Sequence, residues 1–378
     1  MIYMDNAATT KPSAAAVKAM LDAAENFGNP SSLHRLGMNG EKIVKNAKSV
    51  IAGILGVNSK NIYFTSGGTE SNNTAIIGYA LANQKRGKHL ITSKIEHPSV
   101  LTPFEYLENM GFEVSYIDVD ENGILRLDKF EDALREDTIL VSVMHVNNET
   151  GMIQPVDKLK DIMKKKSPLA ALHVDAVQSF CKTAVKPKKW GADMVSMSAH
   201  KVHGIKGCGA LYIENVNVKP IIIGGGQQNN MRSGTENVVG IAAFGAAAGE
   251  TDIEKNKETM LNLRARLKKE ILDNIDNVVV NGDDNFASGS VLNVSFLGIK
   301  AEILLHSLEA KGIYVSTGSA CSSNKPMPSH VLTNMGKSKK EIEGAIRFSL
   351  SDELTENDID ECVEILIKEV ATIRKYVR

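Results

Sequence analysis

Short apolar runs with high β-propensity alternate with helical segments through the first 213 residues of the chain. The runs cover residues 62–65, 89–93, 114–119, 138–146, 172–174, 194–197 and 209–213. Helical patterns lie between most of them, for example at residues 127–134 and 156–163. Strands that alternate with helices predict an α/β fold, in which right-handed crossovers join the strands of a largely parallel sheet.

Polar residues follow several of these runs at the point where the predicted strand ends. They are Thr69, His97, Asn148, Asp175 and the segment 198–201. In open α/β sheets, ligands bind in the crevice outside the carboxyl ends of the strands. The sequence therefore predicts one functional site along this edge of the sheet.

A lysine and an aspartate stand at two of these strand ends. Lys201 lies in a Ser/His/Gly-rich loop after the run 194–197, and Asp175 ends the run 172–174. This pair suits pyridoxal 5′-phosphate (PLP), because a lysine amine forms a Schiff base with the aldehyde and a carboxylate keeps the pyridine nitrogen protonated. An isolated lysine is usually a solvated surface residue, so the prediction depends on the motifs around it.

The segment after the run 62–65 has the order expected of an anion site. Gly67 and Gly68 allow close approach of the backbone, Thr69 adds a hydroxyl, and a helix with free N–H groups follows. The segment is neither a Walker A loop nor a GxGxxG motif. A plain turn with a helix N-cap would give the same pattern, so both interpretations stay open at this point.

The character of the chain changes near residue 250. A long charged helix is predicted at residues 252–275, followed by strands at 278–280, 290–296, 313–315 and 346–350 and by a helix that begins near residue 355. We expect a large domain at residues 16–250 and a smaller α+β domain at residues 251–378, which the N-terminal segment 1–15 joins.

One of the four cysteines has unusual neighbours. Cys181, Cys208 and Cys362 lie among apolar residues and are expected in the core, whereas Cys321 lies in a polar, small-residue stretch. From this context alone a reactive thiol and an incidental loop cysteine are equally acceptable. No CxxC pair occurs, so neither a metal site nor a disulfide framework is expected.

Composition excludes several classes of function. The 378 residues carry a formal net charge of -1, with 43% hydrophobic and 24% charged residues, which predicts a soluble globular protein without a direct nucleic-acid or membrane partner. The N-terminus has no signal-peptide pattern, and the scattered cysteines favour a reducing, cytoplasmic setting.

Together these segments resemble the cysteine desulfurases of the NifS/IscS type, which belong to the class V aminotransferase group of PLP enzymes. The resemblance extends from residue 3 to residue 350. The motifs that carry it are 65–72 (TSGGTESN), 96–97 (EH), 145–149 (HVNNE), 173–178 (HVDAVQ), 198–201 (SAHK), 232–235 (RSGT) and 318–321 (GSAC). Gly68 stands where the family often has alanine, a difference from which we expect little effect.

The resemblance implies a fold and an activity. The fold is the PLP-dependent transferase (aspartate aminotransferase-like) fold, with a mostly parallel seven-stranded sheet in the large domain. The activity is conversion of L-cysteine to L-alanine, with the sulfur carried as a persulfide on Cys321 to an acceptor or iron–sulfur scaffold protein.

The resemblance also assigns roles to individual residues. Lys201 would hold PLP and shuttle protons, and His97 would stack on the ring and act as an acid or base. Asp175 would contact the pyridinium nitrogen, and Gln178 would contact the phenolate oxygen. The phosphate would be bound by Gly68, Thr69, Ser198 and His200, and Thr235 would bind the phosphate of the other subunit of a homodimer. Asn148 would contact cofactor and substrate, and Arg347 would bind the substrate carboxylate. A surface ion pair is the alternative for Arg347.

Other functions compete with this one. A selenocysteine lyase or an aminotransferase would use the same fold, although an aminotransferase has no need of Cys321. A sulfur-handling scaffold without catalysis would not need Lys201, Asp175 and His97, and a nucleotide-binding Rossmann protein would need a GxGxxG motif. The sequence does not distinguish iron–sulfur cluster assembly from tRNA thiolation or cofactor synthesis as the use of the sulfur.

Overall fold

The computed structural model describes residues 1–317 and 328–376. Twelve strands lie in this part of the chain. In chain order they are β1 (Ile2–Tyr3), β2 (Ile62–Thr65), β3 (His89–Ser93), β4 (Glu113–Ile117), β5 (Thr138–Met144), β6 (Ala171–Asp175), β7 (Met194–Ser198), β8 (Gly209–Ile213), β9 (Val278–Val280), β10 (Val291–Phe296), β11 (Ile313–Tyr314) and β12 (Ala345–Ser349).

Fourteen α-helices lie in the same described ranges. They are α1 (Ala14–Glu25), α2 (Arg35–Leu55), α3 (Gly68–Asn73), α4 (Tyr79–Asn83), α5 (Pro98–Asn109), α6 (Leu127–Ala133), α7 (Val156–Lys166), α8 (Pro187–Trp190), α9 (Val238–Gly249), α10 (Ile253–Asn274), α11 (Ala301–Glu309), α12 (His330–Asn334), α13 (Lys339–Glu343) and α14 (Glu356–Tyr376). No helix of these ranges combines the length and the apolar composition needed to cross a membrane.

A seven-stranded sheet with the order β2-β8-β7-β6-β5-β3-β4 forms the centre of the molecule. Strand β8 pairs antiparallel with both β2 and β7, and every other pairing in the sheet is parallel. The predicted mostly parallel, seven-stranded α/β sheet is therefore confirmed. The carboxyl ends of β2, β3, β5, β6 and β7 meet at one edge, which brings their polar loops together.

Both faces of this sheet are buried, as the near-continuous apolar character of its strands requires. Successive residues of β5 illustrate the alternation: Val141 packs into a core cluster with Phe64 and Val174, while Leu140 packs into a second cluster with Ile76 and Phe104. Burial on both sides makes the strands a rigid base for the side chains at their ends.

The C-terminal elements surround a separate core cluster. Strands β12-β10-β9 form an antiparallel sheet, and β1 pairs with β11. The cluster joins Ile2 and Met4 with Leu267 of α10 and Leu366 of α14. This shared core supports our proposal that the N-terminal segment joins a smaller domain, and the division near residue 250 stays a prediction.

Two helix predictions were wrong in detail. The apolar residues on one face predict a helix at residues 41–55, but helix α2 begins at Arg35. Its added first turns contain Gly37 and Gly40, where a Cβ would be 2.1 Å from the Ser32 carbonyl and 2.5 Å from the Gly28 carbonyl. The helix predicted after β2 is interrupted by a π-helical turn at Thr74–Gly78. There the Gly78 carbonyl accepts a hydrogen bond from the backbone N–H of Lys219 at 3.0 Å.

Candidate active site

A cavity of about 260 Å³ opens at the carboxyl edge of the central sheet. It brings together nine of the residues that the sequence singled out. They are Gly68, Thr69, His97, Asn148, Asp175, Gln178, Ser198, His200 and Lys201. The polar strand ends that the sequence singled out therefore line one cavity, and their roles in a functional site stay a prediction.

Lys201 enters the cavity from a 3₁₀ turn, Ala199–Lys201, directly after β7. Its Nζ donates hydrogen bonds to the backbone carbonyls of Ala7 at 2.5 Å and Ala8 at 2.7 Å. The N-terminal segment is itself held in place, because the backbone N–H of Thr10 donates to the His200 carbonyl at 2.9 Å. The chain thus orients the lysine amine with a segment almost two hundred residues away.

Asp175 occupies the last position of β6 and is 5% exposed. Its Oδ1 accepts from the backbone N–H of Val177 at 2.9 Å, and its Oδ2 accepts from Asn72 Nδ2 at 2.8 Å. Burial raises the pKa of Asp175, while these two hydrogen bonds and the charges of His97 and Lys201 oppose that rise. A cationic ring nitrogen placed beside this carboxylate would further stabilise its ionised form.

His97 is the N-cap of α5 and belongs to the same hydrogen-bond network. Its Nδ1 accepts from the backbone N–H of Ser99 at 3.1 Å and lies 2.8 Å from Ser99 Oγ. Ser99 Oγ in turn accepts from Asn72 Nδ2 at 2.8 Å. Because a backbone N–H can only donate, Nδ1 is unprotonated and the neutral ring carries its proton on Nε2. Burial lowers the pKa of His97, which favours this neutral form.

The other end of the cavity is built for an anion. Gly68 begins α3, whose first-turn N–H groups have no acceptor within the helix. Ser198 Oγ is buried without a hydrogen-bond partner. An alanine at position 68 would place its Cβ 2.7 Å from Val177 Cγ2, so Gly68 widens the cavity at this point. Burial, together with nearby lysines, lowers the pKa of His200 to about 4.

Arg347, from β12, is buried rather than exposed, so the alternative of a surface ion pair is wrong. Its side chain is 4% exposed. Nη2 lies 2.8 Å from Asp5 Oδ1, and Nη1 donates to the Asn148 carbonyl at 3.0 Å. Nε is buried and has no partner in the described part of the chain. The guanidinium therefore contacts a residue that lines the cavity, although Arg347 itself does not line it.

Two predicted residues are not brought into this cavity by the described chain. Thr235 is exposed and lines a different cavity, which it shares with Arg232 and Gln228. Cys321 lies outside the described residues. The role of each stays a prediction.

The relatives of this chain identify its family. The model of the aminotransferase class-V family matches residues 2–362. The chain belongs to the class-V aminotransferase family. A curated relative from Methanosarcina thermophila, named cysteine desulfurase IscS, is 44% identical over 99% of this chain and 93% of its own length.

Two solved structures show the same fold in this class-V aminotransferase. A structure described as a NifS-like protein has a TM-score of 0.92 at 36% identity and covers 98% of this chain and 99% of its own. A second, described as SspA in complex with cysteine, has a TM-score of 0.83 at 32% identity and covers 94% and 100%. The predicted PLP-dependent transferase fold is confirmed.

The cofactor of this class-V aminotransferase is PLP, and the residues of the cavity fit it. Ser198 Oγ and Gln178 Oε1 are buried polar atoms that have no partner among residues 1–317 and 328–376. Lys201 supplies an amine, Asp175 a buried carboxylate and the start of α3 an anion-binding backbone. Gln178 Nε2 donates to the Ala7 carbonyl at 2.9 Å, and the second hydrogen of this amide nitrogen could donate to the ring oxygen.

Sequence reasoning gave no role to several groups that complete the site. Asn72 and Ser99 link Asp175 to His97, and the carbonyls of Ala7 and Ala8 hold Lys201. A signal for Asn72 was available, since it lies three residues after Thr69 on the same helix. The contact with the N-terminal segment had no local signal, because it depends on the tertiary fold.

Proposed function

We propose that this class-V aminotransferase is a cysteine desulfurase that converts L-cysteine to L-alanine and passes the sulfur to an acceptor protein. The convergence of Lys201, Asp175 and His97 on one cavity is the observation that carries PLP chemistry at this site. The choice of cysteine rests on the relative named cysteine desulfurase and on the neighbour described in complex with cysteine.

The proposed reaction uses the protein's own residues as follows. When bound, PLP supplies an electron sink next to the carbon that bears the substrate amine. Lys201 holds the cofactor and, once the substrate amine has replaced it, takes the proton from that carbon. Asp175 holds negative charge opposite the ring nitrogen, and His97 donates or accepts a proton through Nε2.

Cys321 receives the sulfur in this proposal. Its thiolate attacks the substrate sulfur, so that the carbon–sulfur bond breaks and a sulfur–sulfur bond forms. The enzyme then carries a persulfide, and the carbon that lost sulfur takes a proton to give L-alanine. Substrate and enzyme thiol together contain every atom of the two products, so the step needs no external oxidant or reductant.

Substrate selection is assigned to the entrance of the cavity. Asn148 lines it, and Arg347 contacts the Asn148 carbonyl while its Nε has no partner. A guanidinium presents several donors in one plane, which suits a carboxylate. We assign the carboxylate of L-cysteine to these two residues.

The active form in this proposal is a homodimer. Several large apolar side chains of the chain are exposed, including Phe27 at 80%, Leu33 at 96% and Ile223 at 84%. Burial of such side chains against a second copy stabilises an oligomer. Thr235, which is exposed and does not line the active-site cavity of its own chain, would contact the phosphate in the partner's site.

The spacing of the cysteines supports a cytoplasmic setting for this protein. Iron–sulfur cluster assembly is the use of the sulfur that the name of the relative suggests.

A paired assay on the purified protein tests this proposal. We expect a yellow protein that forms alanine and a protein-bound persulfide from L-cysteine, whereas Cys321→Ala should lose the persulfide and at least about a hundredfold in rate. Cys362→Ala, which changes a buried cysteine of α14, is the matched control and should keep both products.

Each possible failure has a different meaning. A yellow protein that forms no alanine would contradict the substrate but not the cofactor. Persulfide retained in Cys321→Ala would remove Cys321 from the reaction. Release of selenide from selenocysteine at a much higher rate than sulfide from cysteine would make the protein a selenocysteine lyase instead.

A further inference from the structure

A second cavity shares Lys201 with the active site. Its volume is about 210 Å³, and its lining includes Asn6, Thr10 and Lys182. Lys201 therefore borders two enclosed spaces, and the second one holds another amine.

Lys182 is buried without a compensating contact. It lies seven residues after Asp175, in a series of turns in which its backbone N–H donates to the Ser179 carbonyl at 3.0 Å. The residue is 8% exposed, and within residues 1–317 and 328–376 its ammonium forms neither a hydrogen bond nor an ion pair. Burying an unpaired ammonium is costly, so this position does not favour lysine for stability.

The environment of Lys182 disfavours its positive charge. Burial lowers the pKa of Lys182 to about 7, with Lys201 and Arg347 contributing as nearby cations and Asp352 opposing them. The other ionisable groups that line the cavity are Cys181, His203, Glu250 and Glu353. Two amines that share a small enclosed space resist simultaneous protonation. The repulsion is mutual, so a charge on Lys182 also acts on Lys201.

The groups around Lys201 have opposing effects on the protonation of its amine. The carbonyls of Ala7 and Ala8 accept hydrogen bonds from its amine and so favour the charged form. Asp175 also favours the charged form of Lys201, whereas a protonated His97 or His200 would disfavour it. An amine reacts with an aldehyde, and accepts a proton, only in its neutral form. A positive charge on Lys182, when present, opposes protonation of Lys201 and so favours the neutral form of that amine.

We propose that Lys182 is a positioning residue for Lys201, whose neutral, reactive form it favours by charge repulsion across the shared cavity. This inference rests on the proposed function in that Lys201 is taken as the lysine that holds PLP.

The pH dependence of the Lys201 amine in the apoprotein provides the test. Trace acetic anhydride labels neutral amines, and mass spectrometry of the peptide that contains Lys201 gives its rate of labelling at each pH. For Lys182→Met we expect the midpoint of this profile to rise by about one pH unit and the labelling rate at pH 7 to fall about tenfold. The rate of PLP incorporation into the same apoprotein should fall in parallel.

Two further variants make the result specific. Lys182→Arg keeps a permanent cation and should have a midpoint at or below that of the wild type. Lys186→Met removes an exposed lysine of the same segment and should leave the profile unchanged. A wild-type profile in Lys182→Met would overturn the inference. If Lys182→Met does not fold, Lys182→Arg decides, because a midpoint above that of the wild type contradicts it.

The test separates this inference from the proposed function. Labelling of Lys201 does not require a substrate or bound PLP, so it reports on the two lysines even if the protein acts on another amino acid. Covalent PLP incorporation that persists in Lys201→Ala would instead refute the assignment of Lys201 and leave the labelling result intact.

Discussion

Asn72 connects Asp175 and His97, two of the ionisable groups that line the cofactor cavity. Its single amide nitrogen donates to both Asp175 and Ser99, and Ser99 in turn contacts His97. Three hydrogen bonds therefore link the carboxylate of Asp175 to the ring of His97. This arrangement sets the protonated nitrogen of His97 before any ligand binds.

Glu96, the residue before His97, carries a buried carboxyl group that the reaction does not use. Its Oε1 accepts from Ser93 Oγ at 2.5 Å and from the backbone N–H of Met144 at 3.1 Å, while Oε2 has no partner. Burial raises the pKa of Glu96 from 4.5 to about 8. Glu96 is therefore neutral in the folded protein at pH 7.

This shift makes the stability of the protein fall as the pH rises. Below pH 4.5 Glu96 is protonated in both the folded and the unfolded chain. Between pH 4.5 and about 8 the unfolded chain loses the proton while the folded chain keeps it, so folding becomes less favourable. A difference of one unit between the folded and unfolded pKa values of Glu96 changes the free energy of unfolding by about 1.4 kcal/mol.

We therefore predict that Glu96→Gln, a neutral isostere of the protonated acid, is more stable than the wild type at pH 8, by roughly 2–5 kcal/mol. Urea unfolding at pH 5, 6.5 and 8 measures the difference. The comparison at pH 5 is the internal control, because the difference should fall below about 1 kcal/mol there. Parallel stability curves for the two proteins would show that Glu96 ionises normally.

At the scale of secondary structure, the start of β8 sets the position of the anion-binding turn. Gly209 pairs with Thr65 on one side and with Ser198 on the other. A Cβ at Gly209 would lie 2.7 Å from the backbone of Gly67 and 2.8 Å from the Met197 carbonyl. Neither neighbour is a flexible side chain, so any larger residue must displace the backbone of the turn.

We predict that Gly209→Ala weakens PLP binding about tenfold and costs about 1–3 kcal/mol of stability, the usual range for overpacking. Titration of the apoprotein with PLP and urea unfolding measure the two effects. Gly53→Ala is the matched control, since its Cβ would meet nothing within 4 Å on helix α2, and it should stabilise the protein slightly. Unchanged PLP affinity in Gly209→Ala would show that the turn does not depend on this contact.

The sequence predicted the elements that depend on local pattern. Strands β2, β8 and β9 lie at the predicted residues, because each is a short apolar run between turns. The start of α2 was missed because glycines that allow close backbone contact look like helix breakers. The π-helical turn was also missed, and its Gly78 carbonyl contacts a distant segment that no local pattern records.

The same distinction applies to the site. Strand order explains why Asp175 and Lys201 could be predicted to meet, since adjacent parallel strands end at one edge. The contacts of Lys201 with Ala7 and Ala8, and the cavity shared with Lys182, could not be predicted. They depend on how the N-terminal segment crosses the sheet edge, which no local pattern records.

At the scale of the whole molecule, we propose that each site combines residues of two chains. Thr235 is exposed and lies in a glycine-rich connection whose Arg232 contacts Glu70 at 2.9 Å, near the anion-binding turn. If Thr235 contributes a phosphate contact, that contact lies in the site of a second copy. Each site would then combine Lys201 of one chain with Thr235 of the other.

We predict that two inactive variants restore activity when they share a dimer. Lys201→Ala removes the lysine from its own site, and Thr235→Glu places a carboxylate against the phosphate of the partner's site, so each homodimer should lose at least about a hundredfold in activity. A mixed dimer contains one site with Lys201 and Thr235 both intact and one site with neither. Co-expression with two affinity tags isolates that mixed dimer, whose activity should reach about half that of the wild type because one of its two sites is intact.

Mixed dimers without activity would place Thr235 in the site of its own chain. In that case each of the two sites would carry one of the two substitutions, and neither site would be intact. The same outcome in an otherwise folded mixed dimer would also remove the argument that catalysis requires the second copy.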